Sequence, residues 1–157
     1  MTTRKLFSTA ALAAACFAAP ALAADSLARF EGGIGSQPLR SGGTPNVVHA
    51  TNPGGVPWVI ASLSADIKTD GRVSVAGRGL LLGGTNNIGY TGVGQMVRAR
   101  LVCGGVPHDT ALVPLEPDGD FRIDDQYLPV PPNPCANAVL LIVSGGGNWF
   151  AAGIPKL

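Results

Sequence analysis

The sequence predicts an all-β protein: an antiparallel β-sandwich or partly open barrel of about seven to nine short strands, rich in hairpins, behind an N-terminal signal peptide. Three observations predict it. Glycine and proline interrupt the chain so often that most segments free of both have the length of a strand, not of a helix. Inside those segments apolar and polar residues alternate with period two. Asp-Gly pairs lie between alternating segments, where the positive φ that glycine adopts freely closes a hairpin.

The chain of 157 residues opens on Arg4 and Lys5, followed by an alanine-rich run without charge up to Ala19 and a break at Pro20. Ala21-Leu22-Ala23 then supplies the small-x-small pattern that a signal peptidase recognises, so cleavage is expected between Ala23 and Ala24. The apolar run is shorter than the roughly 20 residues a membrane span needs. Cys16 lacks the leucine three positions earlier that lipoprotein processing uses, since Ala13 stands there. The expected location is therefore secreted or periplasmic, with no membrane span after cleavage and no lipid on Cys16.

Removing residues 1–23 from 157 leaves 134, which suits one domain. Residues 24–57 read as an irregular, Gly/Pro-rich segment in which only Val47-Val48 resembles a strand. Residues 58–157 read as the β-domain. Of 11 basic and 10 acidic residues, Arg4 and Lys5 leave with the signal, so nine face ten and the net charge becomes −1. The arginines are scattered, which disfavours nucleic acid and a polybasic membrane anchor as partners.

The strands follow in order. Val59, Ala61, Leu63, Ala65 and Ile67 alternate with Ser62, Ser64, Asp66 and Lys68. Asp70-Gly71 turns the chain into a second strand through Val73 and Val75. Val97, Ala99, Leu101 and Cys103 alternate with Arg98 and Arg100, and Ala111, Val113 and Leu115 repeat the pattern. Asp118-Gly119 closes a second predicted hairpin, leading to Phe121 and Ile123. The continuously apolar stretch 138–143 reads as a central strand covered on both faces, and 149–154 as the last strand. Residues 83–94 form a glycine-rich loop. Residues 127–134, with four prolines, are expected to run extended without sheet bonding.

Cys103 and Cys135 are the only cysteines after the signal, and in an oxidising compartment they are expected to form a disulfide. Cys103-Gly-Gly-Val-Pro-His108 resembles part of a cupredoxin copper site, with His49 as a further ligand. The resemblance is partial: no methionine follows His108, and Cys135 is the better partner for Cys103. His49 and His108 are expected in solvated loops. Asp118, Asp120, Asp124 and Asp125 invite a calcium reading, but Ile123 and Pro129 occupy the positions where an EF-hand loop needs glycine and glutamate. No cofactor follows from these residues.

Hydrolytic chemistry has little to stand on. Glu31 and Glu116 are the only glutamates, and no G-x-S-x-G nucleophile elbow occurs. Trp58 and Phe121 are expected in the core. Trp149 and Phe150 are neighbours in a strand and point to opposite faces, so one is expected on the surface. Tyr90 and Trp149 mark the candidate ligand face. The function expected is a non-enzymatic binding or structural role in the cell envelope or outside the cell. The alternative is an envelope metal-binding protein or metalloenzyme using His49, His108 and the loop aspartates.

Overall fold

The computed structural model describes residues 24–38, 40, 41 and 44–156. The expected signal peptide, with Cys16 and Ala23, lies outside them. Among the described residues there are thirteen strands and no helix: β1 (Ser26–Gly35), β2 (Arg40–Ser41), β3 (Thr44–Pro45), β4 (Trp58–Val59), β5 (Ser62–Lys68), β6 (Arg72–Arg78), β7 (Leu81–Leu82), β8 (Met96–Cys103), β9 (Val106–Asp109), β10 (Val113–Pro114), β11 (Phe121–Gln126), β12 (Val139–Ser144) and β13 (Trp149–Pro155).

Nine of them form one antiparallel sheet in the order β10-β8-β12-β13-β1-β5-β6-β11, with β9 also on β8. The sheet curls into a half-barrel, so of the two architectures expected the chain adopts the partly open barrel. Alternation explains the curl: Leu63, Ala65, Ile67, Val73, Val75, Val97, Ala99, Leu101, Phe121 and Ile123 are all buried in one core inside it. Each buried aliphatic side chain is worth about 1.5–3 kcal/mol.

β1 corrects the irregular reading of residues 24–57. It lies mid-sheet, pairing with β5 on one side and β13 on the other. Gly32 and Gly33 hide its alternation, because the pairing with β13 shifts register between Phe30 and Gly33. Gly32 there has φ +90°.

Residues 45–57 then form a strap over the outside of the sheet. The Trp149 backbone N–H donates to the Asn52 carbonyl at 2.8 Å, and the Gly54 N–H donates to the Trp149 carbonyl at 2.9 Å. Val48 packs on an outer cluster of Leu141, Val143 and Trp149. The Arg100 guanidinium donates to Thr51 Oγ1 at 3.0 Å and, through two bonds of 2.7 Å, to Asp109. The strap thus supplies the second cover that the apolar run of β12 requires, and Leu140, Leu141, Ile142 and Val143 are all fully buried.

Three further expectations need correction. The first strand begins at Ser62: Val59 and Ala61 are exposed, and β4 leaves the sheet to pair with β7. The break lets Trp58 turn inward and stack on Phe150, with ring centroids 3.9 Å apart. Asp118-Gly119 is a turn, with Gly119 at φ +83°, closed by the Glu116 N–H donating to the Asp120 carbonyl at 3.0 Å, but the strands on either side do not continue as a hairpin ladder. β10 joins β8 and β11 joins β6, leaving a seam between the two ends of the sheet. Pro114 has no N–H to give across that seam. Trp149 and Phe150 are both buried, at 4% and 6% exposure, because the strap covers the side of β13 that alternation assigns to water.

Cys103 and Cys135 are joined, with Cα atoms 4.9 Å apart and a sequence separation of 32. The bond ties the end of β8 to the entrance of β12. Replacing both cysteines by serine is expected to lower unfolding stability by about 3–4 kcal/mol, read as a lower urea midpoint with an otherwise native circular dichroism spectrum. A midpoint unchanged from wild type would contradict that role.

Candidate functional site

The opening and closing ends of the half-barrel are built differently. At one end lie the disulfide and residues 127–134. At the other lies the glycine-rich loop 83–94, close to the turn at residues 116–119. Between these two loops is an open groove of about 610 Å³, lined by Leu82, Tyr90, Thr91, Val93, Leu115 and Pro117, among others.

The loop is shaped by its own backbone. The Leu82 N–H donates to the Tyr90 carbonyl at 2.8 Å, and the Gly89 N–H returns to the Leu82 carbonyl at 2.9 Å. Two longer bonds close short turns within that frame, from the Ile88 N–H to the Thr85 carbonyl at 3.3 Å and from the Tyr90 N–H to the Asn87 carbonyl at 3.2 Å. Thr85 sits at φ +67°, a region that a β-branched residue seldom occupies. The result is a fixed tip on which Tyr90 stands 67% exposed. The walls beneath it are aliphatic: Leu115 is buried at the seam, and Leu82 is half-buried in β7.

Of the two residues assigned to a ligand face, Tyr90 reaches this groove and Trp149 does not. The Trp149 indole N–H donates to the Asn46 carbonyl at 3.2 Å, beneath the strap. Val93 and Ile88 were not legible as site residues from alternation, since they lie in a glycine-rich loop. A usable signal is the absence of charge in residues 79–97.

The residues of the metal reading are scattered. His49 is exposed in the strap turn, where it has φ +44°. His108, expected in water, is on β9 and 8% exposed, with Nδ1 3.2 Å from the Pro129 carbonyl oxygen. Asp118 accepts from the Asp120 N–H, Asp120 from the Gly79 N–H, and Asp125 from the Ala111 and Gln126 N–H groups. Among the described residues no group of three or more His, Cys, Asp or Glu side chains is placed to hold a metal ion. Inside the barrel, Tyr127 Oη and His108 Nε2 are buried without a hydrogen-bond partner among the described residues, and their rings meet edge-on at 6.4 Å. Burial, with smaller contributions from Asp109 and Asp125, pushes the Tyr127 phenol upward and keeps it neutral.

A second surface differs in kind. On the outside of β1, β5, β6 and β11, shallow depressions are lined by Arg29, Glu31, Asp66, Lys68, Arg122 and Asp124, among others. Its charges answer one another: Lys68 to Asp66 at 2.8 Å, Arg122 to Asp124 at 2.6 Å, and Lys156 to Glu31. Lys156 and Arg122 hold the Glu31 and Asp124 carboxyls below their usual range, as hydrogen bonds from Arg72 do for Asp70. At Asp66 burial pushes upward, but hydrogen bonds from Lys68 and Ser26 outweigh it. Such a face is a solvated, self-neutralised side of a barrel.

No family model, curated protein or solved structure matches this chain.

Carboxyls with lowered values contribute stability that is present above their unfolded values and lost as pH falls through their folded values. The urea midpoint is therefore expected to stay level from neutral pH to about pH 5 and to decline progressively below it, as these four carboxylates take up protons. Added salt should shrink the decline, because the pairs are exposed. A midpoint that stays flat down to about pH 2.5 would show that the pairs contribute nothing.

Proposed function

We propose that this chain is an exported, non-enzymatic binding protein of the cell envelope or the extracellular space, and that it binds through the groove beside Tyr90. One observation carries the reading: an exposed aromatic side chain on a backbone-fixed tip, over aliphatic walls, on a molecule whose outer face over β1, β5, β6 and β11 is covered by mutually paired charges. The polar side chains of the groove, Asn87 and Thr91, are hydrogen-bonding groups that neither donate nor accept a proton readily at neutral pH. They orient a ligand without transforming it. The charged start, apolar run and Ala-x-Ala ending of residues 1–23 support export, and the disulfide is the kind of cross-link an oxidising compartment preserves.

The test uses the protein expressed with its own leader. The exported product is expected to have a mass that begins at Ala24, with no free thiol. It should be retained on a total envelope fraction containing lipid, glycan and protein together. Tyr90→Ala should weaken that retention about tenfold, as removal of an aromatic anchor does, whereas Lys68→Gln on the charged face should leave it unchanged. Equal retention of the Tyr90→Ala protein would remove the groove from the function. Turnover of a substrate from a hydrolase panel would overturn the non-enzymatic reading.

A further inference from the structure

Resting on that reading, we propose that the partner of the Tyr90 loop is a lipid surface: the loop is a membrane-contacting tip that seats the barrel on a neutral, zwitterionic bilayer. The apolar side chains of the loop face out. Ile88, Tyr90 and Val93 are 63%, 67% and 103% exposed within six consecutive residues. Their exposure to water is costly, and a cluster of this kind marks a surface that is covered in use.

Charge selects the cover. Residues 79–97 carry none, and Arg78 and Arg98 bracket them. A tip entering the boundary between headgroups and acyl chains must be free of charge, and tyrosine favours that boundary because its ring is apolar and its hydroxyl stays wet. The rim behind the tip carries both signs: Glu116 and Asp118 flank the Pro117 wall of the groove, and Arg78, Asp120 and Arg122 line the seam beyond them. A rim of mixed charge gains nothing from an anionic surface over a neutral one.

The backbone fits the same partner. Amide groups near the acyl region must be satisfied within the protein, and the Ile88, Gly89 and Tyr90 N–H groups of the loop already donate to the carbonyls of Thr85, Leu82 and Asn87. Thr85, at φ +67°, is the strained position that holds this arrangement. The exposed side chains also extend beyond the groove. Val93 is fully exposed, and Ile88 lies outside the groove lining. A protein partner would need a matching hollow for both, whereas a fluid bilayer deforms around them.

The test is flotation of the exported, disulfide-bonded protein with vesicles of phosphatidylcholine alone and of phosphatidylcholine with one quarter phosphatidylglycerol. Binding is expected to the neutral vesicles and to be no stronger on the anionic ones. Ile88→Ser and Val93→Ser should each reduce partitioning about tenfold, since each removes a buried aliphatic group. Both sites are exposed, and unchanged urea midpoints confirm that the variants fold. A Val93→Trp variant should be quenched by brominated phosphatidylcholine more strongly than wild type, whose Trp58 and Trp149 are buried. Binding that survives both serine substitutions, or that requires the anionic lipid, would overturn the proposal. Failure to bind neutral vesicles while retention on the whole envelope fraction still depends on Tyr90 would replace lipid by a protein or glycan and leave the groove standing. Failure of both would remove the groove as well.

Discussion

The half-barrel depends on the pairing of β1 with both β5 and β13. Without β1 the sheet separates into two pieces, β5-β6-β11 and β13-β12-β8 with β9 and β10 attached. Within these pieces β5 and β6 join through a tight turn at Asp70-Gly71, and β8 joins β9 through Gly104-Gly105. β1 fuses the two by a contact of long range, with Phe30 opposite Pro155 and Gly35 opposite Ala151. The Lys156 N–H, donating to the Arg29 carbonyl at 2.9 Å, continues that edge beyond the last strand. Closing so long a loop costs little more than closing a loop of half the length, because the entropic cost rises only with the logarithm of loop size. The gain is a continuous core, in which Phe30 meets side chains of both pieces.

The second constraint is the apolar run of β12. Four consecutive fully buried side chains need cover on both sides of the sheet, and a single curled sheet supplies only one. The strap supplies the other, and its anchor is polar. Thr51 and Asp109 both bond Arg100, which lies opposite Leu141 on the neighbouring strand. The hydrogen bonds that Arg100 donates to Asp109 raise its guanidinium above its ordinary value, against the effect of burial. The half-buried cation is therefore matched and does not tax the outer cluster. The disulfide acts on the same pair of strands from the far end, so β8 and β12 are held by ladder, strap and covalent bond together.

Much of this was legible in the sequence, and the failures have physical causes. Period-two alternation located the inward residues of β5, β6, β8 and β11, because each of those strands has one wet face. It failed on β13, where the strap makes both faces dry, so the placement of Trp149 on the surface was wrong for a reason that lies about 100 residues away in the chain. It failed on β1 because a bulge at Gly32 and Gly33 interrupts the period. It misread His108, whose strand is only four residues long and is flanked by glycine and by Thr110. Thr110 Oγ1 takes the Ala99 N–H at 3.0 Å in place of a backbone carbonyl, so β9 reads as loop although it edges the sheet, whereas the alternation of Ala111, Val113 and Leu115 marks the strand that holds β10. Tyr90 was legible as a surface aromatic. The groove beneath it was not, since Leu82, Leu115 and Pro117 converge only when the sheet ends meet at the seam.

Both ends of the barrel expose apolar residues, and their contrast explains why one of them carries the candidate site. At the disulfide end Leu128 is 77% exposed and Val130 is 43% exposed. That segment is nevertheless folded back on the barrel. The Tyr127 N–H donates to the Gly71 carbonyl at 2.9 Å, His108 Nδ1 lies against the Pro129 carbonyl, and Pro131 is buried. A carbon added at Gly71 would meet Val130 at 3.2 Å, so Val130 already covers the β5–β6 turn. Those apolar groups finish the core. At the other end the loop bonds chiefly to itself and to β7, and its apolar side chains have nothing of the barrel left to cover. Rigid backbone without an internal use for its side chains is what distinguishes a presented surface from a lid on the core. By that criterion loop 83–94 faces outward and the proline-rich segment faces the molecule it belongs to.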